Sequence, residues 1–307
     1  MQTDEGVFLM TKLAVDGGTP LRKKPFAPWP FFSSDEIAAV SNVLQSGKVN
    51  YWTGEEGRLF EKEFASWLGV SHAVAVMNGT VALEAALMAL GIGAGDDVIV
   101  TSRSYVASAS CVVLRNARPI FADVDPNSQN ITAETIEKVV TPNTRAVIVV
   151  HLAGWPCDMD AIMAVAKKHN LFVIEDCAQA MGATYQGRPV GSFGDVAAFS
   201  FCQDKIITTA GEGGMVTTNR RDLWEKIWSY KDHGKNYERC ADAVAPGPAF
   251  RWLHETFGTN GRMTEIQAAI GRQQLKKLPG WLKKRCAHAE ILNAGFQTIP
   301  ALRVTIP

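Results

Sequence analysis

The sequence predicts an α/β fold in which a mostly parallel sheet is covered by helices on both faces. From residue 74 onward, short apolar runs alternate with amphipathic stretches, as in strand–helix–strand units with right-handed crossovers. The most motif-rich part of the chain contains two apolar runs, Leu171–Ile174 and Val196–Phe201. The first ends in the acids Glu175 and Asp176, as a buried parallel strand does when it carries a carboxylate to the sheet edge where ligands bind.

Composition supports the α/β fold class and narrows the range of possible functions. With 307 residues, of which 47% are hydrophobic and 20% charged, the chain can bury a large core. A formal net charge of +0 gives no electrostatic reason to expect nucleic-acid or membrane binding. The six cysteines form no CxxC pattern, which indicates reduced thiols in a cytoplasmic protein. The six histidines have no metal-binding spacing, so we expect no metal site.

The chain begins with a polar stretch followed by two helices. Residues 1–12 are expected to be a disordered N-terminal extension, and Met10 is a candidate alternative start. Helices are predicted at Ser33–Ser46 and at Arg58–Leu68, where apolar residues recur at helical spacing. The loop Gly47–Gly57 between them is rich in glycine and aromatic residues, and its composition alone is equally typical of a surface turn.

A short strand and the helix after it form the first candidate ligand site. The strand is Val74–Met77, the helix is Val81–Leu90, and Asn78-Gly79-Thr80 joins them. A glycine turn that leads straight into a helix places free backbone N–H groups at the positive end of the helix dipole, where a phosphate binds without a basic side chain. Many strand–helix turns look the same, so this turn alone is a weak signal.

Further strand–helix units then extend the sheet. In chain order the predicted elements are strand Asp97–Thr101, a helix ending at Leu114, strand Pro119–Asp123, helix Ala133–Val140, strand Ala146–Val150 and helix Asp158–His169. Tyr105 lies just past the first of these strands, where an aromatic ring can lie flat on a planar cofactor; the alternative is a core tyrosine. His151, at a strand end, is predicted to form structural hydrogen bonds rather than to act in catalysis.

Reactive side chains are concentrated in residues 171–219. A carboxylate at Asp176, a hydroxyl at Ser200 and an amine at Lys205 follow neighbouring strands. A lysine can form a Schiff base with a carbonyl compound, and a buried carboxylate can keep a pyridinium nitrogen protonated. Each residue is a weak signal by itself, because an Asp at a strand end more often caps a helix or pairs with a cation, and a lone Lys is usually solvated.

Several motifs in this stretch resemble those of a known family in order and spacing. They are Glu175-Asp176-Cys177-Ala178-Gln179-Ala180, Gly191-Ser192-Phe193-Gly194-Asp195, Phe199-Ser200-Phe201, Lys205 and Gly211-Glu212-Gly213-Gly214. Together they are similar to the DegT/StrS group of pyridoxal-phosphate-dependent sugar aminotransferases, which have fold type I and belong to the aspartate aminotransferase superfamily. The resemblance extends from about Leu13 to the C-terminus. It implies a large cofactor-binding domain and a small C-terminal α/β domain.

The resemblance also implies pyridoxal 5'-phosphate as the cofactor and gives residues their roles. Lys205 would form the Schiff base and move a proton, and Asp176 would pair with the pyridinium nitrogen. The implied cofactor-binding residues are Gly79, Thr80, Tyr105, Asp176, Gln179, Ser200, Lys205 and Asn260. Of these, Gly79, Thr80 and Ser200 would hold the phosphate, Tyr105 would stack on the ring, and Gln179 would bind its hydroxyl. The implied substrate-binding residues are Tyr51, Trp52 and Thr53.

This sequence departs from the family pattern at a few positions. Asn78 replaces a serine, which leaves the backbone donors of the turn unaffected. Arg103 replaces an apolar or small residue, with no role that the sequence suggests. Gly261 stands where an aromatic residue is common, so we expect a more mobile loop there. Some relatives carry histidine at the position of Lys205 and catalyse dehydration, and the lysine here argues against that branch.

The C-terminal part is predicted to be mainly helical and to contribute a residue to the site of a second subunit. Helices are predicted at Arg221–Tyr230 and Thr264–Leu278, with a Pro/Gly-rich loop at Ala245–Ala249. In the family, a loop asparagine that corresponds to Asn260 crosses to the neighbouring subunit's cofactor phosphate, which implies a homodimer with shared sites. We expect residues 13–230 to form the large domain and 231–307 to form part of the small one, because Pro307 lies about where family members enter its remainder. That position indicates a truncated chain or an abbreviated domain.

The function implied by the resemblance is amino-group transfer in amino-sugar or polysaccharide biosynthesis. The expected donor is an amino acid, L-glutamate, and the expected acceptor is a keto group on a nucleotide-linked sugar. Two alternatives stay open. One is amination of a keto-inositol, or formation of an aminoshikimate-type ring, on the same scaffold. The other is a truncated, catalytically impaired homologue that binds the cofactor only.

Overall fold

The structure, a computed structural model, describes residues 12–241 and 252–306. The chain divides into an N-terminal unit that ends at Phe31 and a unit that begins at Phe32. The first contains a turn of 3-10 helix, Ala14–Asp16. Of the extension predicted to be disordered, residues 1–11 lie outside the described residues, as does the predicted loop at Ala245–Ala249. The predicted domain boundary at residue 230 stays a prediction.

The second unit contains nearly all of the regular secondary structure in the described ranges. Its helices are α1 (Ser34–Ser46), α2 (Glu56–Leu68), α3 (Gly79–Ala89), α4 (Ala107–Leu114), α5 (Ala133–Glu137), α6 (Met159–His169), α7 (Arg221–Lys231), α8 (Tyr237–Ala241) and α9 (Glu265–Gln297). Its strands are β1 (His72–Val76), β2 (Asp97–Thr101), β3 (Arg118–Ala122), β4 (Thr144–Val150), β5 (Phe172–Asp176), β6 (Thr184–Tyr185), β7 (Arg188–Pro189), β8 (Val196–Ser200) and β9 (Gly214–Thr218). Most predicted ends are close to the observed ones; α5 stops short of its predicted end at Val140.

The central sheet confirms the predicted, mostly parallel arrangement. Within the described residues it has seven strands in the order β1-β9-β8-β5-β4-β2-β3, and β6 and β7 form a separate hairpin. Strand β9 runs antiparallel to both of its neighbours, β1 and β8, while the remaining pairs are parallel. It follows that β1 points the same way as β5 and β8. The C-terminal ends of these three strands therefore lie at one edge of the sheet.

Alternating side chains of the strands build separate cores on the two faces of the sheet. Val74 and Val76 of β1 pack with apolar residues of α3, α4 and α7, whereas Ala73 and Ala75 pack with residues of α2 and α9. A third cluster joins β2, β4 and β5 to α5 and α6. This pattern follows from the two-residue period of a strand, which turns successive side chains to opposite faces. None of the helices in the described residues has the combination of length and apolar composition that a membrane crossing needs.

Helix α9 is longer than predicted. The prediction ended it at Leu278, but it runs for 33 residues and passes through Pro279. A proline inside a helix lacks the N–H of one hydrogen bond and costs about 3 kcal/mol. Trp281 and Leu282, two and three residues after the proline, pack against the cluster that contains Phe60. We attribute the continuation of the helix to this contact, which a local reading of the sequence does not include.

Packing of α9 against α2 yields a prediction about stability. An added Cβ at Gly271 would lie 2.6 Å from Cζ of Phe60 and 2.9 Å from Cγ2 of Thr209. We expect Gly271→Ala to lower the free energy of unfolding by about 1–3 kcal/mol, because the core there has no room for a methyl group. Urea unfolding followed by circular dichroism measures the change.

Gly280 provides a matched control in the same helix. An added Cβ there meets no atom of the described residues within 4 Å. Because alanine favours a helix over glycine, Gly280→Ala is expected to raise the free energy of unfolding by up to about 1 kcal/mol. Changes of the same sign and size at the two positions would contradict the close packing at Gly271.

Candidate active site

The C-terminal ends of β5 and β8 and the start of α3 border a cleft with a cavity volume of about 510 Å³. In the described structure this cleft is lined by every predicted cofactor-binding residue except Asn260. Those residues are Gly79, Thr80, Tyr105, Asp176, Gln179, Ser200 and Lys205. Residues far apart in the sequence therefore meet at the sheet edge where ligands of α/β proteins bind.

Asp176 presents a buried carboxylate to the cleft. Its Oδ2 accepts a hydrogen bond from the Ser108 hydroxyl at 2.8 Å, and its Oδ1 accepts one from the Ala178 N–H at 3.1 Å. Burial raises the pKa of Asp176 above its ordinary value in spite of these hydrogen bonds. A positively charged N–H group beside this carboxylate would offset the cost of burying its charge. The site therefore suits a protonated ring nitrogen.

The preceding residue, Glu175, is fully buried and accepts four hydrogen bonds. Its Oε2 accepts from His151 Nε2 at 3.1 Å and from the Gly191 N–H at 2.7 Å; its Oε1 accepts from the N–H groups of Phe193 at 2.7 Å and Gly194 at 2.8 Å. Burial alone would raise the pKa of Glu175, but the hydrogen bonds outweigh burial and lower it. Glu175 thus fixes residues 191–194 to the end of β5.

His151 has the structural role predicted for it. Its Nδ1 accepts a hydrogen bond from the Cys157 N–H at 3.1 Å, so the ring proton is on Nε2, which donates to Glu175. The Cys177 thiol lies near both side chains, and the three could in principle hold a metal ion. Because the two ring nitrogens and the Glu175 oxygens are already hydrogen-bonded, the cluster gives no reason to assign a metal here.

The start of α3 has the features of a phosphate site. The Asn78 side chain caps the helix by accepting a hydrogen bond from the Val81 N–H at 2.9 Å. The N–H groups of Gly79 and Thr80, which have no partner within a helix, also have none among the other described residues. An added Cβ at Gly79 would lie 2.7 Å from Cβ of Ser200, so glycine is what allows the Ser200 hydroxyl to approach the helix start. Three uncharged donors converge at this point.

Three further residues with predicted roles line the same cleft. Lys205 Nζ donates a hydrogen bond to Asp204 Oδ2 at 3.2 Å, and the lysine side chain is 23% exposed. Gln179 Oε1 accepts from the Ala153 N–H at 2.8 Å, which leaves the amide nitrogen as a donor for the cleft. Tyr105 is 71% exposed, which excludes the alternative of a core tyrosine.

The predicted substrate-binding residues do not line the cleft in the described structure. Tyr51 is only 2% exposed; its hydroxyl donates to Glu61 at 3.1 Å and accepts from Trp228 at 3.2 Å. In this structure Tyr51 therefore has a structural role instead of the predicted contact with a sugar, because its ring packs in the core. Next to it, Trp52 is half-buried and Thr53 is exposed, and their contacts with substrate stay predictions.

The loop around Asn260 is held more firmly than expected. Asn260 is exposed and forms a backbone bridge with Asp232. The Gly261 N–H donates to the Lys231 carbonyl at 2.9 Å, and the Gly261 carbonyl accepts from the Met77 N–H at 2.8 Å. These two hydrogen bonds count against the expected mobility, since they hold the backbone regardless of the side chain at 261.

Two findings concern residues that the sequence left without a role. Ser108, which holds Asp176, was missed; it lies in the first turn of α4, three residues after Tyr105, and no signal in the sequence indicated its contact with Asp176. The cleft is also lined by Cys202, Asp204 and Glu212, which sequence reasoning did not single out as ligands. Nothing in the structure explains Arg103.

Comparison with known proteins supports the interpretation of the cleft as a cofactor-binding site. Residues 31–307 match the family described as the DegT/DnrJ/EryC1/StrS aminotransferase family. The chain belongs to this family. Members depend on pyridoxal phosphate, and the fold is their fold type I. A similar solved structure is an aminotransferase from Psychrobacter cryohalolentis, with a TM-score of 0.89 and 57% identity, covering 92% of this chain and 72% of that chain.

Two curated relatives are similar over much of the sequence. GDP-perosamine synthase of Caulobacter vibrioides is 48% identical over 76% of this chain and 61% of its own length. L-glutamine:2-deoxy-scyllo-inosose aminotransferase of Streptoalloteichus tenebrarius is 40% identical over 92% of this chain and 67% of its own length. The chain thus spans about two thirds of the length of these relatives.

The residues of the cleft fit pyridoxal phosphate. The unpartnered N–H groups of Gly79 and Thr80 and the Ser200 hydroxyl offer donors for a phosphate, and Asp176 offers a buried acceptor for a ring N–H. Lys205 provides the only amine among the cleft-lining residues of the described structure. An anionic group, a cationic nitrogen and an aldehyde can all be accommodated by this set of donors and acceptors.

The cap on α3 gives a testable prediction. Asn78→Ala removes the acceptor for the Val81 N–H and is expected to lower the free energy of unfolding by about 1 kcal/mol. Asn78→Ser is the control, because serine caps helices about as well as asparagine. Chemical denaturation of both variants checks this; an Ala variant as stable as the Ser variant would show that the cap is dispensable.

Proposed function

We propose that the protein transfers an amino group from L-glutamate to a keto group of a nucleotide-linked sugar in the cytoplasm. Its six cysteines are all free thiols, which supports a reducing compartment. The observation that carries the proposal is the convergence of Lys205, Asp176 and the start of α3 on one cleft. The similarity to GDP-perosamine synthase supports a nucleotide-linked sugar as the acceptor.

Each side chain of the cleft has a distinct task in the proposed reaction. Bound pyridoxal phosphate supplies an electron sink for the charge that develops at Cα of the donor when its proton leaves. Lys205 would bind the aldehyde carbon of the cofactor. Once displaced by the donor, its amine would take the proton from Cα of the donor and deliver a proton to that former aldehyde carbon. Asp176 would hold a proton on the ring nitrogen, and its hydrogen bonds from Ser108 and Ala178 keep it oriented for this.

The other groups would orient and retain the cofactor. The N–H groups of Gly79 and Thr80 and the Ser200 hydroxyl would bind the phosphate, which anchors one end of the ring. The exposed ring of Tyr105 would cover one face. The amide nitrogen of Gln179 would donate to the ring hydroxyl, since its carbonyl oxygen already accepts from Ala153.

A second candidate acceptor is a keto-inositol. The inosose aminotransferase is less identical than the perosamine synthase but matches more of this chain. Its name also gives L-glutamine as the donor, in contrast to the L-glutamate proposed here. Purified protein offered each donor with a panel of keto sugar nucleotides and keto-inositols would separate the two functions. A protein that binds pyridoxal phosphate but reacts with neither donor would instead be a catalytically impaired homologue.

We also propose that the active unit is a homodimer with shared sites. Asn260 is absent from the cleft of its own described chain, so it is free to serve another subunit. Apolar side chains are exposed just before α4, along α4 and on β3, and the first of them lines the cleft; they are Tyr105, Val106, Val113, Leu114 and Phe121. A second subunit would bury such a surface, and in a symmetric dimer each Asn260 would complete the opposite site.

Lys205→Ala tests the covalent role of the lysine. We expect the variant to lose the borohydride-reducible attachment of pyridoxal phosphate, because it lacks the amine that lines the cleft. Peptide mapping after reduction measures the attachment and its position. Lys276→Ala, which changes an exposed lysine of α9, is the control and should keep it. A reduced adduct on any other lysine of the Lys205→Ala protein would refute the assignment.

Asp176→Asn tests the charge on the cleft carboxylate. Asparagine keeps the shape but cannot stabilise a proton on the ring nitrogen as a carboxylate does. We expect the variant to bind the cofactor but to react with L-glutamate at least a hundredfold more slowly, about 2.7 kcal/mol of barrier. Stopped-flow absorbance gives the rate. Asp97→Asn, at the opposite sheet edge, should react normally, and a threefold loss or less for Asp176→Asn would rule out the role.

A further inference from the structure

A second group of buried charges lies around Asp232, outside the cleft in the described structure. Asp232 is 0% exposed, and its Oδ1 accepts hydrogen bonds from three side chains of different segments. The donors are Lys235 Nζ at 2.9 Å, Arg262 Nη1 at 2.8 Å and Trp52 Nε1 at 3.3 Å. One oxygen atom therefore joins the turn at Trp52, the segment after α7 and the loop before α9.

The other oxygen of Asp232 faces a buried cation. Lys231 Nζ is 3.9 Å from Asp232 Oδ2, and both atoms lack a hydrogen-bond partner among the described residues. Burial lowers the pKa of Lys231 to about 8, against the opposing effect of Glu61 and Asp232, so the amine is mainly protonated at neutral pH. Lys235 and Arg262 bind Oδ1 of Asp232 and Lys231 faces its Oδ2, so three cationic side chains surround this one carboxylate. Removing its charge would leave these cations without compensation in a poorly solvated place.

The loop that Asp232 binds lies against the proposed phosphate site. We call residues 259–263 the Asn260 loop. Its backbone is bridged to Asp232 at Asn260 and to β1 at Arg262. An added Cβ at Gly261 would lie 3.2 Å from Cγ1 of Val81, in the first turn of α3. A displacement of the Asn260 loop would therefore disturb the helix start whose N–H groups face the cleft.

We infer that Asp232 is a positioning residue for the cofactor phosphate: through Arg262 and the backbone bridge it fixes the Asn260 loop against the start of α3. This inference rests on the proposed function, in which Asn260 and the start of α3 both serve a phosphate. Asp232 acts at a distance and contacts neither cofactor nor substrate. Trp52 and Lys235 add two further attachments to the same oxygen, which explains why a residue outside the cleft is so densely hydrogen-bonded.

The test compares the affinity of apoprotein for pyridoxal 5'-phosphate with its affinity for pyridoxal, which lacks the phosphate. Absorbance and fluorescence titrations give both dissociation constants, and their ratio measures the contribution of the phosphate contacts. We expect Asp232→Asn to reduce the preference for the phosphorylated form at least tenfold, equivalent to about 1.4 kcal/mol. A general loss of stability would weaken both ligands together and leave the ratio unchanged.

Asp97→Asn is the matched control. Asp97 is 2% exposed, binds Arg118 with two hydrogen bonds of 2.7 and 2.8 Å, and begins β2, at the sheet edge away from the cleft. This variant also removes the charge of a buried acid paired with an arginine, and it should keep the wild-type ratio within twofold. An equal fall of the ratio in both variants would overturn the inference.

Arg262→Gln tests the connection and replaces Asp232→Asn if the latter does not fold. It should lower the same ratio, and the Asp232→Asn, Arg262→Gln double variant should lose no more than the more affected single variant, because the two residues act in series. Fully additive losses, or an unchanged ratio in Arg262→Gln, would overturn the inference. Failure of the proposed function looks different: wild-type protein would then show no preference for the phosphorylated form or no reaction with an amino donor.

Discussion

The site depends on the way β5 ends in two adjacent carboxylates with opposite surroundings. Successive residues of a strand face opposite sides of a sheet, so Glu175 and Asp176 enter different environments. Four hydrogen bonds saturate Glu175 and lower its pKa. Asp176 accepts only two hydrogen bonds, and burial raises its pKa. The first carboxylate fixes the scaffold, and the second is left facing the cleft with capacity to accept further hydrogen bonds.

The same interaction accounts for the motif at residues 191–194. Gly191 has φ of 91°, and an added Cβ would lie 2.4 Å from Cζ of Phe199, so a side chain at this position is excluded on two grounds. At Gly194 an added Cβ would lie 2.6 Å from the Val173 carbonyl oxygen. These glycines let three backbone N–H groups converge on Glu175. A pattern that first indicated a family can thus be explained by the hydrogen bonds that one buried acid requires.

Much of the fold and the cleft could be predicted from the sequence, because the relevant signals are local. Apolar runs gave the strands, and residues just after strand ends, such as Asp176 and Tyr105, gave the cleft. Parallel strands place such residues at one edge whatever the details of packing. For Gly79 and Lys205 the local signals, a glycine turn before a helix and a lone lysine after a strand, were weak, and the resemblance assigned their roles.

The errors concern properties that depend on distant contacts. The resemblance implied that Tyr51 contacts substrate, but its ring is buried with its hydroxyl between Glu61 and Trp228. Helix α9 continues past Pro279 because side chains beyond it reach the core. Asp232 gave no signal at all, since its partners come from three separate segments. Sequence periodicity indicates which face of a helix or strand is apolar. It does not indicate which polar groups from distant segments will form hydrogen bonds.

The uncharged character of the donors at the start of α3 has a consequence for regulation. The N–H groups of Gly79 and Thr80 and the hydroxyl of Ser200 do not gain or lose protons near neutral pH. A phosphate held there would be insensitive to titration of its own direct contacts. Proton transfer in the proposed reaction would then fall to Lys205 and Asp176, which are separate from the groups that would hold the phosphate.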